Sequence, residues 1–209
     1  MSSHARTERQ ALADLFMEVG PDAPTLCEGW TTADLAAHLV LRERRPDAAA
    51  GILVKPLSGY TDRVQRSVRD GRPWADLVDT VRNGPPFPLS LNPLDETVNT
   101  VEYFVHLEDV RRAQPGWEPR RLDPGLEQAL WSRLKMMARA LLRRSPVGVT
   151  LRAPGFGEVE ARAGDPRVTV TGAPGELVLF AFGRQAAARV DTEGDPDACA
   201  RLRQAQLGL

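Results

Sequence analysis

The chain has 209 residues, an ordinary apolar content and a formal net charge of −1. This leaves room for one large domain or two small ones, with ample material for a core. The near-neutral charge gives no bulk field for nucleic acid or an anionic membrane, and no apolar run approaches membrane-spanning length.

The first ten residues are polar and charged and carry no signal-peptide core, so the expected location is the cytoplasm. The two cysteines, Cys27 and Cys199, lie far apart and indicate no disulfide framework; each reads as a small buried residue. There are three histidines, and His4 falls in a tail expected to fray. His38 and His106 are therefore the internal imidazoles. The basic residues are almost all Arg, with Lys55 and Lys135 the exceptions.

In chain order, residues 5–19 read as a helix with Leu12, Leu15, Phe16 and Val19 on its apolar stripe. Gly20, Pro21 and Pro24 end it. Thr31 or Thr32 suits an N-cap, with Asp34 in the first turn of a second helix that runs to about Arg45. His38 sits between Leu35 and Leu39 on the face that should be buried. By itself it reads as a hydrogen-bonded core histidine.

Residues 46–59 read as a connection with some helical turn, and 60–82 as one broken helix or two short ones around Gly71. The proline-rich stretch from Pro85 to Pro93 cannot be regular helix. A further helix begins near Asp95 and runs to Ala113, with Leu94, Val98, Val101 and Val105 as its apolar face. Glu102, His106 and Asp109 follow one another at i, i+4 and i+7 beside that face. A carboxylate and an imidazole aimed together can ligate a metal, or can simply hydrogen-bond to each other at a helix flank. Asp109 in turn can support His106 or act as a base, or it can pair with Arg112.

After a linker at 114–119, Pro124 opens a helix whose stripe is Leu126, Leu130, Leu134, Met137 and Leu141. Beyond Pro146 the period falls from 3.6 to 2. Strands are expected around Val147–Leu151, Val159–Ala161 and Val168–Val170, then a helix at 175–182, a fourth strand at 188–191 and a last helix at 196–207. Helices thus dominate 1–113, and a small α+β unit occupies 120–209.

Three helical groups now stand together: His38, Glu102 and His106. The words Thr25-Leu26-Cys27-Glu28-Gly29-Trp30-Thr31, Asp34-Leu35 and His38-Leu39, with Glu102 and His106 four apart, resemble the DinB-like, mycothiol-dependent maleylpyruvate isomerase family of metal-binding proteins. The tail resembles that family's C-terminal domain in Val168-Thr169-Val170-Thr171-Gly172, Gly175-Glu176-Leu177 and Gly183-Arg184. The stretch 102–113 looks most like a branch of the family other than the isomerase itself.

The resemblance implies an α+β protein: a DinB-like four-helix bundle followed by a small sterol-carrier-like domain. It implies a divalent metal, zinc by expectation, on His38, Glu102 and His106; beside them, Asp109 and Arg184 are the expected catalytic residues. It implies mycothiol as the thiol cofactor and a metal-dependent isomerase or S-transferase acting on a small electrophile. A non-catalytic metal- or ligand-binding protein is the alternative. Small-molecule thiol and substrate are the expected partners, without nucleic acid or membrane, and a homodimer is left open. Arg184 can hold a carboxylate bidentately or cap its own helix end.

Overall fold

The computed structural model describes residues 4–49, 51, 54–85 and 93–208, and the side chains of residues 55 and 93–98 are not among those described. The proline-rich stretch expected to be irregular lies mostly outside the described residues, as do the side chains of Leu94 and Val98. The chain divides into two compact units, Met1–Glu118 and Pro119–Leu209.

The first unit is helical. Its elements are α1 (His4–Val19), α2 (Thr32–Arg44), the short α3 (Pro46–Ala49), a 3₁₀ turn (Lys55–Leu57), α4 (Ser58–Asp70), α5 (Trp74–Asn83) and α6 (Pro93–Arg111). The histidine expected in a frayed tail, His4, is the first residue of α1. The 60–82 region is two helices, because Gly71 ends one and Pro73 stands at the N-cap position of the next, where no donor is needed. Helix α1 packs on α5 and α6, and α2 packs on α4 and α5. Leu12, Phe16, Leu35, Leu39, Leu77 and Tyr103 fill the space between them, each at most 1% exposed.

Helix α2 begins in a capping box. The Asp34 amide donates to the Thr31 hydroxyl, and the Asp34 carboxylate accepts from the Thr31 amide at 3.1 Å. Arg69 of α4 donates to the other oxygen of Asp34 at 2.7 Å, which fixes α4 against the start of α2. Thr31→Ala removes the cap and is expected to cost about 1 kcal/mol, read from the midpoint of a urea titration.

The second unit is α7 (Pro124–Leu141), β1 (Gly148–Ala153), β2 (Gly157–Arg162), β3 (Arg167–Thr171), α8 (Pro174–Ala181), β4 (Asp191–Glu193) and α9 (Pro196–Gln204). The sheet order is β2-β1-β3-β4, with β1 and β3 parallel and the outer pairings antiparallel. Val149, Leu151, Val168 and Val170 are fully buried on one face, as period-2 alternation requires. Helices α7, α8 and α9 pack against this sheet. The indole of Trp131, on α7, donates to the Phe156 carbonyl at 3.0 Å.

The fourth strand falls later than the sequence suggested. The amides of Ala187 and Ala188 both turn back to the Arg184 carbonyl, and the Arg189 amide donates to Glu176. With those donors spent, pairing to β3 starts only at Asp191, opposite Thr171. The last helix likewise stops at Gln204, where Ala205 turns extended.

Candidate metal centre

The site begins in the turn between α1 and α2. Thr25 closes this turn on itself: its hydroxyl donates to the Trp30 carbonyl at 2.9 Å and accepts from the Cys27 amide at 3.1 Å. Gly29 takes φ 75°, a left-handed conformation that a side chain would strain. The Leu26 amide donates to the Asp109 carbonyl at 3.0 Å and ties the turn to α6. Trp30 is thereby laid beside His38, ring centroids 5.1 Å apart.

From α2 and α6 the side chains of His38, Glu102 and His106 converge. One ligand atom from each lies within 4.8 Å of the other two. Glu102 Oε1 is the common point, 3.2 Å from His106 Nε2 and 3.8 Å from His38 Nε2. The two imidazoles meet nearly edge to face, with centroids 5.6 Å apart. Both histidines are 8% exposed.

Burial alone would push the Glu102 carboxyl up. Hydrogen bonds with His106 and His38, and the nearby Arg42 charge, instead hold it well below the usual carboxylate range. Burial also opposes charge on both rings. At His38 it prevails, and the ring is pushed down from the ordinary imidazole value despite Glu102. At His106 the bonds to Asp109, Cys27 and Glu102 prevail over burial and hold the ring well above it.

Asp109 is fully buried, and its Oδ2 lies 3.0 Å from His106 Nδ1. This contact assigns a proton to Nδ1 and turns Nε2 toward Glu102 and His38. Arg112, the other candidate partner, donates through Nε to Glu108, one turn back, at 2.6 Å. Arg184 belongs to the second unit, where its Nη1 donates to the Phe182 carbonyl at the end of α8, at 2.7 Å.

Three residues beside these had no part in the sequence reading of the site. Arg42 places its Nε 3.4 Å from Glu102 Oε1 and donates through Nη1 to Asn99 at 2.6 Å. Arg42 is four residues beyond His38 and Asn99 three before Glu102, so helical spacing carried the signal. Cys27 Sγ lies 3.2 Å from Asp109 Oδ2. It comes from 82 residues away, and the Thr25–Thr31 word that contains it assigned the thiol no role.

The donor chemistry fits a divalent cation. Two imidazole nitrogens and a carboxylate oxygen are the donors zinc takes at about 2.0–2.2 Å, which sets neighbouring donors on the order of 3.3 Å apart. The separations from Glu102 bracket that value. To ligate, His106 must give up an Nε2 proton, and the Asp109 carboxylate keeps the one on Nδ1 in place.

The profile of the mycothiol maleylpyruvate isomerase N-terminal domain matches residues 5–136. The fold is similar to the crystal structure of the mycothiol-dependent maleylpyruvate isomerase, with a TM-score of 0.60 and 16% identity over 91% of this chain and 90% of that one. A histidine-to-alanine mutant of the mycothiol-dependent maleylpyruvate isomerase aligns over the same shares, with a TM-score of 0.54 and 15% identity. No curated protein matches the sequence.

Proposed function

We propose a function from one premise: the chain belongs to the mycothiol maleylpyruvate isomerase N-terminal domain family. In this reading His38, Glu102 and His106 hold a divalent cation, zinc by donor type, in a DinB-like four-helix bundle. The protein is then a metal-dependent enzyme of the isomerase or S-transferase type, with a small-molecule thiol, mycothiol, as cofactor and a small electrophile as substrate. The second unit is read as the sterol-carrier-like domain of that arrangement, and the cytoplasm as the location. Among the described residues no helix is long and apolar enough to cross a membrane.

A cation bound there supplies Lewis acidity and keeps a ligated thiol deprotonated at neutral pH. The chain's own residues do the rest. Asp109 holds the His106 Nδ1 proton and so keeps the Nε2 lone pair aimed at the site. Asn99 steadies Arg42, and Arg42 steadies the Glu102 carboxylate, so that a free thiol meets a preset donor set. Trp30 shields the His38 ring from water. Held by His38, Glu102 and His106, such a cation would supply the thiolate nucleophile on which thiol-using isomerases and S-transferases depend.

The observation that carries this reading is the convergence of three donor atoms within 4.8 Å around Glu102 Oε1. One observation favours a second reading. The same oxygen already meets His106 Nε2 and Arg42 Nε, so the network also stands as a self-satisfied polar cluster. Cobalt substitution separates the two. The cobalt-loaded protein is expected to show d–d absorption of a low-coordinate ion. Mycothiol is expected to add an intense sulfur-to-cobalt charge-transfer band. A protein that takes up no cobalt has only the polar cluster. One that takes up cobalt but gives no band with mycothiol or any other small thiol binds metal without activating a thiol.

A further inference from the structure

The metal reading leaves Cys27 unused, yet Cys27 is built into the site from two directions. Leu26 and Cys27 are consecutive, and both grip Asp109: the Leu26 amide binds its backbone carbonyl at 3.0 Å, and the Cys27 thiol lies 3.2 Å from its Oδ2. That same Oδ2 is the atom 3.0 Å from His106 Nδ1. The turn carrying Cys27 is closed by Thr25 and Gly29, so the thiol arrives on a constrained backbone.

We propose that Cys27 is a positioning residue, whose thiol orients the Asp109 carboxylate so that Asp109 can orient the His106 imidazole. The physical case is one of rotational freedom. A carboxylate turns easily about its last side-chain torsion, which has broad, roughly two-fold wells. Each donor restrains that rotation only in part. A second donor on the same oxygen, fixed to a different element, confines the carboxylate plane. A buried carboxylate also gains from each donor it finds, since it has left water behind. The thiol is a weak donor, but a charged acceptor strengthens the bond. The relay Cys27–Asp109–His106 then runs from a loop, through a fully buried acid, to a group of the candidate metal site. Partners of this kind behind a ligating histidine typically change metal affinity by about 10–100-fold.

One rival is specific. Cys27, His106 and Asp109 themselves bring ligand atoms within 4.8 Å of one another, and a cation held there would use His106 Nδ1 and a Cys27 thiolate. That arrangement excludes the relay, because it removes the Nδ1 proton that Asp109 accepts.

The inference rests on the metal reading for its consequence but not for its geometry, and the test uses both. In the metal-free protein, the His106 Nδ1–H is expected to give a protected, far-downfield proton signal in NMR. Cys27→Ala is expected to shift that signal and speed its exchange with water, and Cys27→Ser, which keeps a donor, to preserve it. In the cobalt-loaded protein, affinity is expected to fall about tenfold in Cys27→Ala and to change less than about threefold in Cys27→Ser. If the wild type binds no cobalt, the metal reading fails while the proton signal still decides the relay. Equal losses in both variants would make Cys27 a packing residue and overturn the proposal. So would an unchanged signal and affinity in Cys27→Ala. A sulfur-to-cobalt band in the wild type before any thiol is added, abolished in Cys27→Ala, would establish the rival site instead.

Discussion

His38→Ala is expected to lose its divalent metal almost completely, measured by elemental analysis of the purified chain, while its far-ultraviolet circular dichroism stays that of the wild type. The loss should exceed the roughly 10–100-fold that changes behind a ligand produce, because a donor itself is removed. The fold should survive for a separate reason. The core of the helical unit is a continuous apolar cluster of Leu12, Phe16, Leu35, Leu39, Leu77 and their neighbours, whose burial does not depend on a bound ion. Removing the ring opens space beside Trp30 at the edge of that core. His106→Ala should also lose the metal, but with a further cost. It strips the fully buried Asp109 of its Nδ1–H partner, and an under-satisfied buried acceptor costs about 1–3 kcal/mol. The two variants should therefore match in metal content and differ in urea midpoint. Stoichiometric metal in both would leave His38 and His106 as partners in a polar cluster.

The contrast between His38 and His106 also marks where the sequence was readable. Elements with a strong local period were legible: Leu12 and Phe16 announced α1, the N-cap candidates Thr31 and Thr32 with Asp34 announced α2, and Val149 to Leu151 announced β1. The placing of Glu102, His106 and Asp109 along one side of α6 was legible for the same reason, since helical spacing is a local property. The partner of Asp109 was not. His106 and Arg112 both stand three residues from it, and spacing alone cannot choose between them. Only the contacts themselves tell them apart: Arg112 Nε donates to Glu108 at 2.6 Å, while His106 Nδ1 lies 3.0 Å from Asp109 Oδ2. Cys27 was hidden because its contact spans the whole unit, and a thiol's role depends on what faces it. The β4 strand was misplaced because Ala188 and Val190 alternate like a strand while their neighbours' amides are held by a turn. At Cys27, and at Arg189 held by Glu176, a tertiary partner outranked a local pattern.

Glu108→Ala is expected to destabilise the helical unit by about 3–5 kcal/mol, the loss typical of breaking a buried ion pair from one side. Its carboxylate accepts from Arg112 Nε at 2.6 Å and from Arg111 Nη1 at 2.9 Å, and the Arg112 side chain is 2% exposed. Removing Glu108 leaves that guanidinium buried over the Trp117 ring, 4.7 Å from its centroid. Trp117 fluorescence during urea unfolding is thus a local reporter. A second effect should travel with the first. Arg112, just past the end of α6, has Asp109 as the next carboxylate in sequence once Glu108 is gone. Competition for Asp109 should loosen its hold on His106 and weaken cobalt binding together with stability. The double variant Glu108→Leu with Arg112→Met removes both charges and keeps the volume. It should return stability to within about 1 kcal/mol of the wild type, because well-packed apolar replacements of buried pairs are often neutral. It should also restore cobalt affinity, since no guanidinium displaced from Glu108 then competes for Asp109. If the double variant regains stability but not affinity, Glu108 and Arg112 serve the site directly rather than by keeping Arg112 away from Asp109.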